Sequence, residues 1–596
     1  MTRLRWPAET AFTDIELEPE SRDCHDCGAF THRYAHQDRW LHSMNGPLHV
    51  GSLVTRCPDQ SCPGHQKRLV SEAEMNIAPP WWVIGWDVFA WVGHRRFARH
   101  WSVPQIRGEL ADSYGIVLSS DAIESYVRLY QTMVAAREGA PEHLVQVYLD
   151  VPDVVLSIDG LQPEKGHETL YVVRELTQKR VWFAEPLLSS STSEIRRLFE
   201  RAKECAERLG KPVRAWVSDK QKAFVTCIAN VFPGVPHRYC ANHFLRDLAK
   251  PVLEADSHAK VQMRRKVRGL RKIEQQILTE LKELEPTAAS NPIAPPDGMP
   301  AQSPSPLKPL ASAIDSATHA KGLRASGSEP PAEVPSSPPL DHGARVACEI
   351  VLEYSAAVRG ILNDDQGGPL HPPGLRMAEA LQEVQASLQR SLDAKKGGPS
   401  EQHIRQLIGC IESGLQHVKT ELDEVACHVK DVSVVYATLD PKTGTSAERR
   451  LTFDALAEQL RLSSDPTRKH MVGIMTRFAP GLFVGADDLV LPDDNLDLER
   501  WFKQPKAHER RIHGHAHAGV RLVQQGPTLM LALDAHLRHP SPFSTVELAP
   551  YHNAPTPPGQ QEAEHRGKIM RKARSRKKRP ALLADIEKRY QSSGTP

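Results

Sequence analysis

Between residues 152 and 243 short apolar runs of strand length alternate with segments of helical period, and this limits the possible fold more than any other feature. Strands are expected at 154–158, 169–176 and 181–186. A helix over 193–209 follows, with Ile195, Leu198, Phe199, Ala202 and Ala206 on one face. A strand at 213–218, a helix at 220–231 and a strand at 237–240 complete the run. Two of these apolar strands close on a carboxylate: Ser157-Ile158-Asp159-Gly160 and Val217-Ser218-Asp219. A third acid, Glu499, lies far downstream in Asp493-Asp494-Asn495-Leu496-Asp497-Leu498-Glu499-Arg500-Trp501-Phe502, where Leu498, Trp501 and Phe502 give a helix its apolar face. Carboxylates at the ends of buried strands, with one more on a helix, suit hard divalent cations held over a phosphodiester. The sequence offers no phosphate-cradling glycine loop and no nucleophile elbow as a competing site.

Three consecutive strands, then helix, strand, helix and strand, is the element order of a ribonuclease H-like core. In that α/β fold the first and fourth strands lie side by side, so Asp159 and Asp219 become neighbours across about 60 residues of sequence. Such a site would take Mg2+ or Mn2+ on Asp159, Asp219 and Glu499, with Asp159 bridging two ions.

The N-terminal segment carries Cys24-x2-Cys27 and Cys57-x4-Cys62, with His65 close behind. Two thiolate pairs can close a tetrahedral structural zinc site, here a zinc-ribbon-like domain over 1–75. The second pair is spaced more loosely than usual, so the fourth ligand is Cys62 or His65. Residues 80–140 read as three helices. The second starts near Val103 with Pro104 in its first turn, and the third is capped by Ser119 or Ser120. A short helix, a glycine-containing turn and a longer capped helix form a helix-turn-helix pattern, with Ser120, Asp121, Glu124, Ser125 and Arg128 facing a DNA groove.

The ribonuclease H-like core would occupy 150–245 and resume at 476–540. The interval 246–475 is a helical insertion containing a Pro-, Ser- and Ala-rich linker at 284–344. Around that linker, Met377, Leu381, Val384, Leu388 and Leu392, and then Ile404, Ile408, Ile411, Leu415, Val418, Leu422, Val425, Val429 and Val432, repeat in steps of four and three. Joined by Gly397-Gly398-Pro399, they would make an antiparallel hairpin. Residues 541–596 read as a basic, disordered tail. Formal charge over the 596 residues is only +2, yet 566–579 is strongly basic and suits a polyanionic partner. Arg500, Lys503 and Lys506 place more positive charge beside Glu499, where Pro505 should kink or end the helix. His513-Gly514-His515-Ala516-His517 reads as a loop. No signal sequence or membrane span is apparent, and ten cysteines do not suggest a disulfide framework. A cytoplasmic, nucleoid-associated protein is expected.

Three segments together resemble bacterial insertion-sequence transposases of the DDE class, in the branch related to Mutator-like elements. They are Ser157-Ile158-Asp159-Gly160, then Ser218-Asp219 followed by His237-Arg238-Tyr239-Cys240-Ala241-Asn242-His243, and finally Asp494-Asn495-Leu496-Asp497-Leu498-Glu499. The middle segment resembles that branch's C-x-x-H signature, and Cys240 and His243 would be auxiliary to the carboxylates, packing the strand end and orienting DNA or the catalytic Asp. The resemblance implies binding of double-stranded DNA at element ends, strand cleavage, and attack of the freed 3'-hydroxyl on target DNA by a homo-oligomer. The interval of about 280 residues between Asp219 and Glu499 is long for the family, and Asp494-Asn495 stands where relatives often have Asn-Asn. The alternatives are a catalytically inactive, transposase-derived DNA-binding regulator and a nuclease without strand transfer.

Overall fold

The computed structural model describes residues 6, 9–162, 166–267, 269–283, 340–394, 400–488, 490–514 and 519–593. Most of the 284–344 linker, the Gly397-Gly398-Pro399 turn and His515-Ala516-His517 lie outside them. The chain forms two compact units, Met1–Ala249 with Val432–Pro596, and Lys250–Asp431.

The first unit is an α/β structure with two sheets. The small one has the order β1-β3-β2, from β1 (Thr13–Leu17), β2 (His32–Ser43) and β3 (Gly46–Arg56). The larger, mixed sheet contains β4 (Val154–Leu161), β5 (Thr169–Glu175), β6 (Arg180–Leu187), β7 (Val213–Ser218) and β8 (His237–Tyr239), in the order β6-β5-β4-β7-β8. β4, β5 and β6 pair antiparallel through short connections, whereas β7 and β8 join parallel after helical crossovers.

Because side chains alternate along a strand, β4 presents two different faces. Leu156 and Ile158 pack with Tyr171, Val173 and Trp216 against the helices Thr192–Leu209 and Lys222–Val231. Val155 points the other way, into a cluster with Ala215, Val217 and Leu491. Ser157 shares that second face, where its hydroxyl donates to Asn495 Oδ1. The same alternation carries Asp159 and Asp219 toward the segment that bears Glu499.

The helix-turn-helix segment forms Trp86–Phe97, Val103–Tyr114 and Ser120–Glu138. Ser102 and Gln105 make a capping box at the second helix, which ends on Gly115 in the left-handed region, and Ser119 caps the third. This segment does not stand as a separate body. Phe89, Val127, Tyr130 and Val134 share one core with Leu170, Val172 and Val181 of the sheet and with Leu529, Met530 and Leu533 of helix Gly526–Arg538. Gln131 Nε2 donates to Thr528 Oγ1 inside that contact.

Two expected boundaries are corrected. The inserted unit spans 250–431 rather than 246–475, because aromatic packing draws the helices Ser446–Arg461 and Pro466–Leu482 to the sheet. Phe478 lies 6.1 Å from Tyr239 and 5.5 Å from Phe244, which in turn lies 5.8 Å from Phe453 (ring centroids). Gly481 sits directly on the Tyr239 ring, where any Cβ would collide. Residues 541–593 are not a disordered tail; they include the helices Pro558–Arg574 and Arg579–Ser592. The first buries Ala563 and Gly567, its Gln560 accepts from Thr528 Oγ1 at 2.7 Å, and its Arg566 donates to Glu168 at 2.7 Å. Lys568, Arg571, Lys572 and Arg574 are exposed, while Glu564 and Arg566 are half-buried.

In the second unit, Lys250–Lys266, Leu270–Glu283, Leu340–Leu362, Pro373–Ala394 and Glu401–Ala437 bring Met377, Leu381 and Leu388 into one core with Ile404, Ile411 and Val418. The step-of-four-and-three seams are packing. Among the described residues of the chain, no helix is long and apolar enough to cross a membrane.

Candidate active site and cysteine cluster

β4 and β7 run parallel in register, Ser157 opposite Val217 and Ile158 opposite Ser218. The next residue along each segment is the carboxylate, so Asp159 and Asp219 occupy matching positions just past the last β4–β7 pair. Asp219 follows the end of β7, while Asp159 lies inside β4, which runs on to Leu161 beside β5 rather than stopping at 158. The carboxyl end of a parallel pair is where α/β sheets form their crevices. Asp159 Oδ1 accepts from the Gly160 N–H at 2.7 Å, and Asp219 Oδ1 from the Gln221 N–H at 3.2 Å.

Glu499 arrives on the short helix Leu496–Trp501. Several contacts hold that helix. Arg238 donates to the Leu491 carbonyl at 3.0 Å and pairs with Asp493, while the Ala241 N–H donates to the Asp493 carbonyl at 3.1 Å. Asn495, fully buried, takes the Ser157 hydroxyl on its side chain and donates its backbone N–H to Cys240 Sγ at 3.2 Å. Arg174 on β5 donates to Asp497 at 2.8 Å and to Asp534 at 2.9 Å, with its guanidinium 5.4 Å from the Trp501 ring centre. The Glu499 carboxylate itself accepts from Asn242 Nδ2 at 3.1 Å on both oxygens, lies 3.5 Å from His243 Nδ1 and lies 3.7 Å from Arg246.

Burial pushes the Asp159 carboxyl up to about 6; His243 and the Gly160 N–H pull it down, and Asp219 and Glu499 push it up as like charges. Burial also raises Asp219, against the Gln221 N–H and His243. Asp159 is acted on by Asp219, Glu499 and His243, and Asp219 by His243 and Asp247. Among the described residues, the ligand atoms that gather within 4.8 Å around Glu499 are those of Cys240 and His243, and the three acids do not form such a group.

Cys240 is buried, and its thiol is pushed up to about 12 by burial. Ligand atoms of Cys240, His243 and Glu499 lie within 4.8 Å of one another. The cysteine packs the end of β8 and fastens the start of the Glu499 helix, while the histidine reaches the acids. Asn242 and Arg246 were not singled out from sequence, although both flank the C-x-x-H run. Arg174 was also missed; its signal was an arginine inside the apolar strand Thr169–Glu175. Arg500 and Lys503 are exposed and Lys506 is half-buried, at the start of the Lys503–His513 helix. The break before that helix falls at Phe502, and Pro505 sits in its first turn, where a missing N–H costs nothing. His513 ends the helix and Gly514 closes it in the left-handed region.

The second site is the cysteine cluster. Cys24, Cys27, Cys57 and Cys62 place their sulfur atoms within 4.8 Å of one another, with Cys24–Cys62 at 3.8 Å and Cys27–Cys57 at 3.6 Å. This donor set could hold a structural zinc ion. Backbone N–H groups of Asp26 and Cys27 bring the Cys24 thiol down to about 7, whereas burial pushes Cys57 up to about 12 and also raises Cys62. Gly64 passes so near Cys24 Sγ that a Cβ there would collide with it. Of the two candidates for the fourth ligand, Cys62 is in the cluster. His65 instead directs Nδ1 at the Cys57 carbonyl, 2.7 Å away. Ser120 and Arg128 lie on the third helix of the helix-turn-helix segment, Arg128 exposed and Ser120 half-buried, 3.4 Å from Arg107.

No protein-family model matches the sequence, and no curated protein matches it.

Proposed function

We propose that this protein is a DDE-class transposase of a bacterial insertion sequence, binding element-end DNA and carrying out metal-dependent strand cleavage and strand transfer. The observation that carries the reading is the parallel register of β4 and β7, which puts Asp159 and Asp219 at matching positions on neighbouring segments, with Glu499 near enough to act on Asp159 as a like charge. The sheet order, with three antiparallel strands extended by two parallel ones, supports a ribonuclease H-like core. The capping pattern and exposed Arg128 support a DNA-reading helix at Ser120–Glu138.

Asp159, Asp219 and Glu499 would hold Mg2+ or Mn2+, which supplies charge neutralisation at phosphorus and activation of the attacking and leaving oxygens. The chain's own groups do the positioning. Asn242 fixes both oxygens of Glu499, and Arg174 and Arg238 hold the segment around it. Arg500, Lys503 and Lys506 would draw the phosphate backbone toward the acids. Cleavage and joining are both in-line displacements at phosphorus, so one arrangement of acids serves both steps.

The test is an assay on labelled terminal-repeat duplex with Mg2+. Cleavage followed by joining is expected, with Asp159→Ala reducing both at least about a thousandfold while leaving the fold intact. Cleavage alone would point to a nuclease, and DNA binding without cleavage to a regulator.

A further inference from the structure

A cavity of about 330 Å3 opens in the first unit, away from the three acids, walled by segments distant in sequence. Arg96 comes from the first helix of the helix-turn-helix segment, Arg128 from the third, Arg521 from the short helix Arg521–Gln524, and Lys568 and Arg571 from Pro558–Arg574. Against these five permanent cations the wall carries two carboxylates, Glu124 and Glu564.

The charge is poorly compensated within the protein. Arg96 is 2 % exposed; one of its terminal nitrogens donates to the Trp101 carbonyl at 3.0 Å, and its Nε has no hydrogen-bond partner among the described residues. Burial brings this guanidinium down to about 9. Glu509 and Glu124 are the acids that act on it. Glu509 Oε1 lies 4.0 Å from Arg521 Nε and is itself without a hydrogen-bond partner among the described residues, so the two acids offset only part of the charge of the five cations. Arg521 is held in place by Gln525 at 3.0 Å and His513 at 2.7 Å. Arg128, Lys568 and Arg571 make no side-chain ion pair among the described residues. Gly567 lets the Pro558–Arg574 helix approach so closely that the Gln524 amide occupies the place of its missing side chain, which brings Lys568 and Arg571 to the rim. A buried, incompletely bonded guanidinium costs free energy that an anion can offset, and forked donors suit tetrahedral oxyanions.

We propose that this cavity binds a phosphate group, with Arg96 and Arg521 forming its floor and Arg128, Lys568 and Arg571 its rim. The group is either a backbone phosphate of duplex DNA or a free inorganic phosphate or pyrophosphate. None of these residues is among the three acids, so the site is independent of catalysis.

The test uses the full chain without added Mg2+, in chloride buffer. Inorganic phosphate and pyrophosphate are titrated calorimetrically, and a labelled 20-base-pair duplex is titrated by anisotropy across a salt series. Arg521→Gln and the double variant Lys568→Gln/Arg571→Gln are compared with a control, Arg576→Gln/Lys577→Gln, whose charges lie outside the cavity. Both cavity variants are expected to weaken binding about tenfold, and the control less than about twofold. Phosphate or pyrophosphate binding that the cavity variants lose identifies the free anion. Binding of duplex alone, with a salt slope lowered by about one in Arg521→Gln, identifies the backbone phosphate. Wild-type affinity of the double variant for all three ligands would overturn the proposal; those exposed side chains can be changed without unfolding the protein. Failure of DNA cleavage, by contrast, would leave these titrations untouched.

Discussion

The cysteine cluster and the acidic cluster are built in opposite ways. Four thiols come from one short stretch of about 40 residues, two on each flank of a β-hairpin, and complete a ligand set among themselves. The acids come from three places, the last about 280 residues beyond the second, and nothing local holds them together. Their arrangement depends on remote supports: Arg174 to Asp497, Arg238 to Asp493, Cys240 to Asn495, and Asn242 to Glu499. A site of the first kind is fixed by its ligand, and a site of the second kind by the packing around it. Removing the ion should therefore damage the first far more than the second.

The largest expected effect follows directly. Structural zinc binding in small domains is worth about 10–16 kcal/mol, so chelation or Cys57→Ala should unfold the N-terminal sheet while the larger sheet persists. Limited proteolysis with zinc quantification would show early cleavage within 9–66 and loss of one zinc per chain; an unchanged cleavage pattern would refute the metal site. Next is Arg174→Met, which takes the cation away from half-exposed Asp497 and from buried Asp534, although Asp534 keeps Arg538 and the Val181 N–H. The loss is expected near the lower end of the range for breaking a buried pair, about 3 kcal/mol, and DNA cleavage should fall alongside. Urea denaturation and single-turnover cleavage would measure the two losses, with Arg174→Lys recovering part of each. A variant that keeps wild-type stability and cleavage would show that the Glu499 helix needs no such support.

Acid provides a third perturbation. His536 is held down to about 4 by burial, with Nε2 accepting from the Tyr130 hydroxyl at 2.9 Å and Nδ1 donating to the His539 carbonyl at 3.1 Å. Its folded pKa lies below the unfolded value near 6.5. The unfolded chain therefore binds the extra proton first, and stability falls as pH drops from about 6.5 to about 4, by roughly 3 kcal/mol in total for this group. Melting temperatures across that window should show His536→Gln losing part of the acid sensitivity, and equal pH slopes would contradict this origin. The smallest effect is expected from Asn242→Ala, which removes one amide shared between the Glu499 oxygens. It should cost about 1 kcal/mol in stability and a modest factor in cleavage, seen as a raised Mg2+ requirement. Full retention of Mg2+ affinity would mean Glu499 is positioned without it.

The same contrast explains what could be read in the sequence. The order of β4 to β8 followed from continuous apolar runs, because each strand is buried on both faces and each crossover helix has one apolar side. β4 runs three residues past its expected end, to Leu161, where polar Asp159 and Gly160 interrupt the run. The thiol pairs were legible because their spacing is local, though only geometry separates Cys62 from His65. Asp159 and Asp219 were legible as carboxylates that close apolar runs. The supports were not: Arg174, Asn242 and Asn495 carry no spacing signal, since their partners lie on other elements. The 541–596 segment was misread because its charge dominates the composition, while Ala563, Gly567 and Gln560 alone mark the packed side. The apolar pattern of the helix-turn-helix segment is complete by itself and carries no sign of a partner; that Tyr130 and Gln131 face helix Gly526–Arg538 is visible only in three dimensions.

That last contact has a consequence for synthesis. The apolar side of Ser120–Glu138 leaves the ribosome about 400 residues before the helix that covers it, so a nascent chain carries an uncovered greasy surface for most of its translation. Chaperone occupancy during elongation, and insolubility of products truncated before Gly526, are the marks that this late closure should leave in a cell.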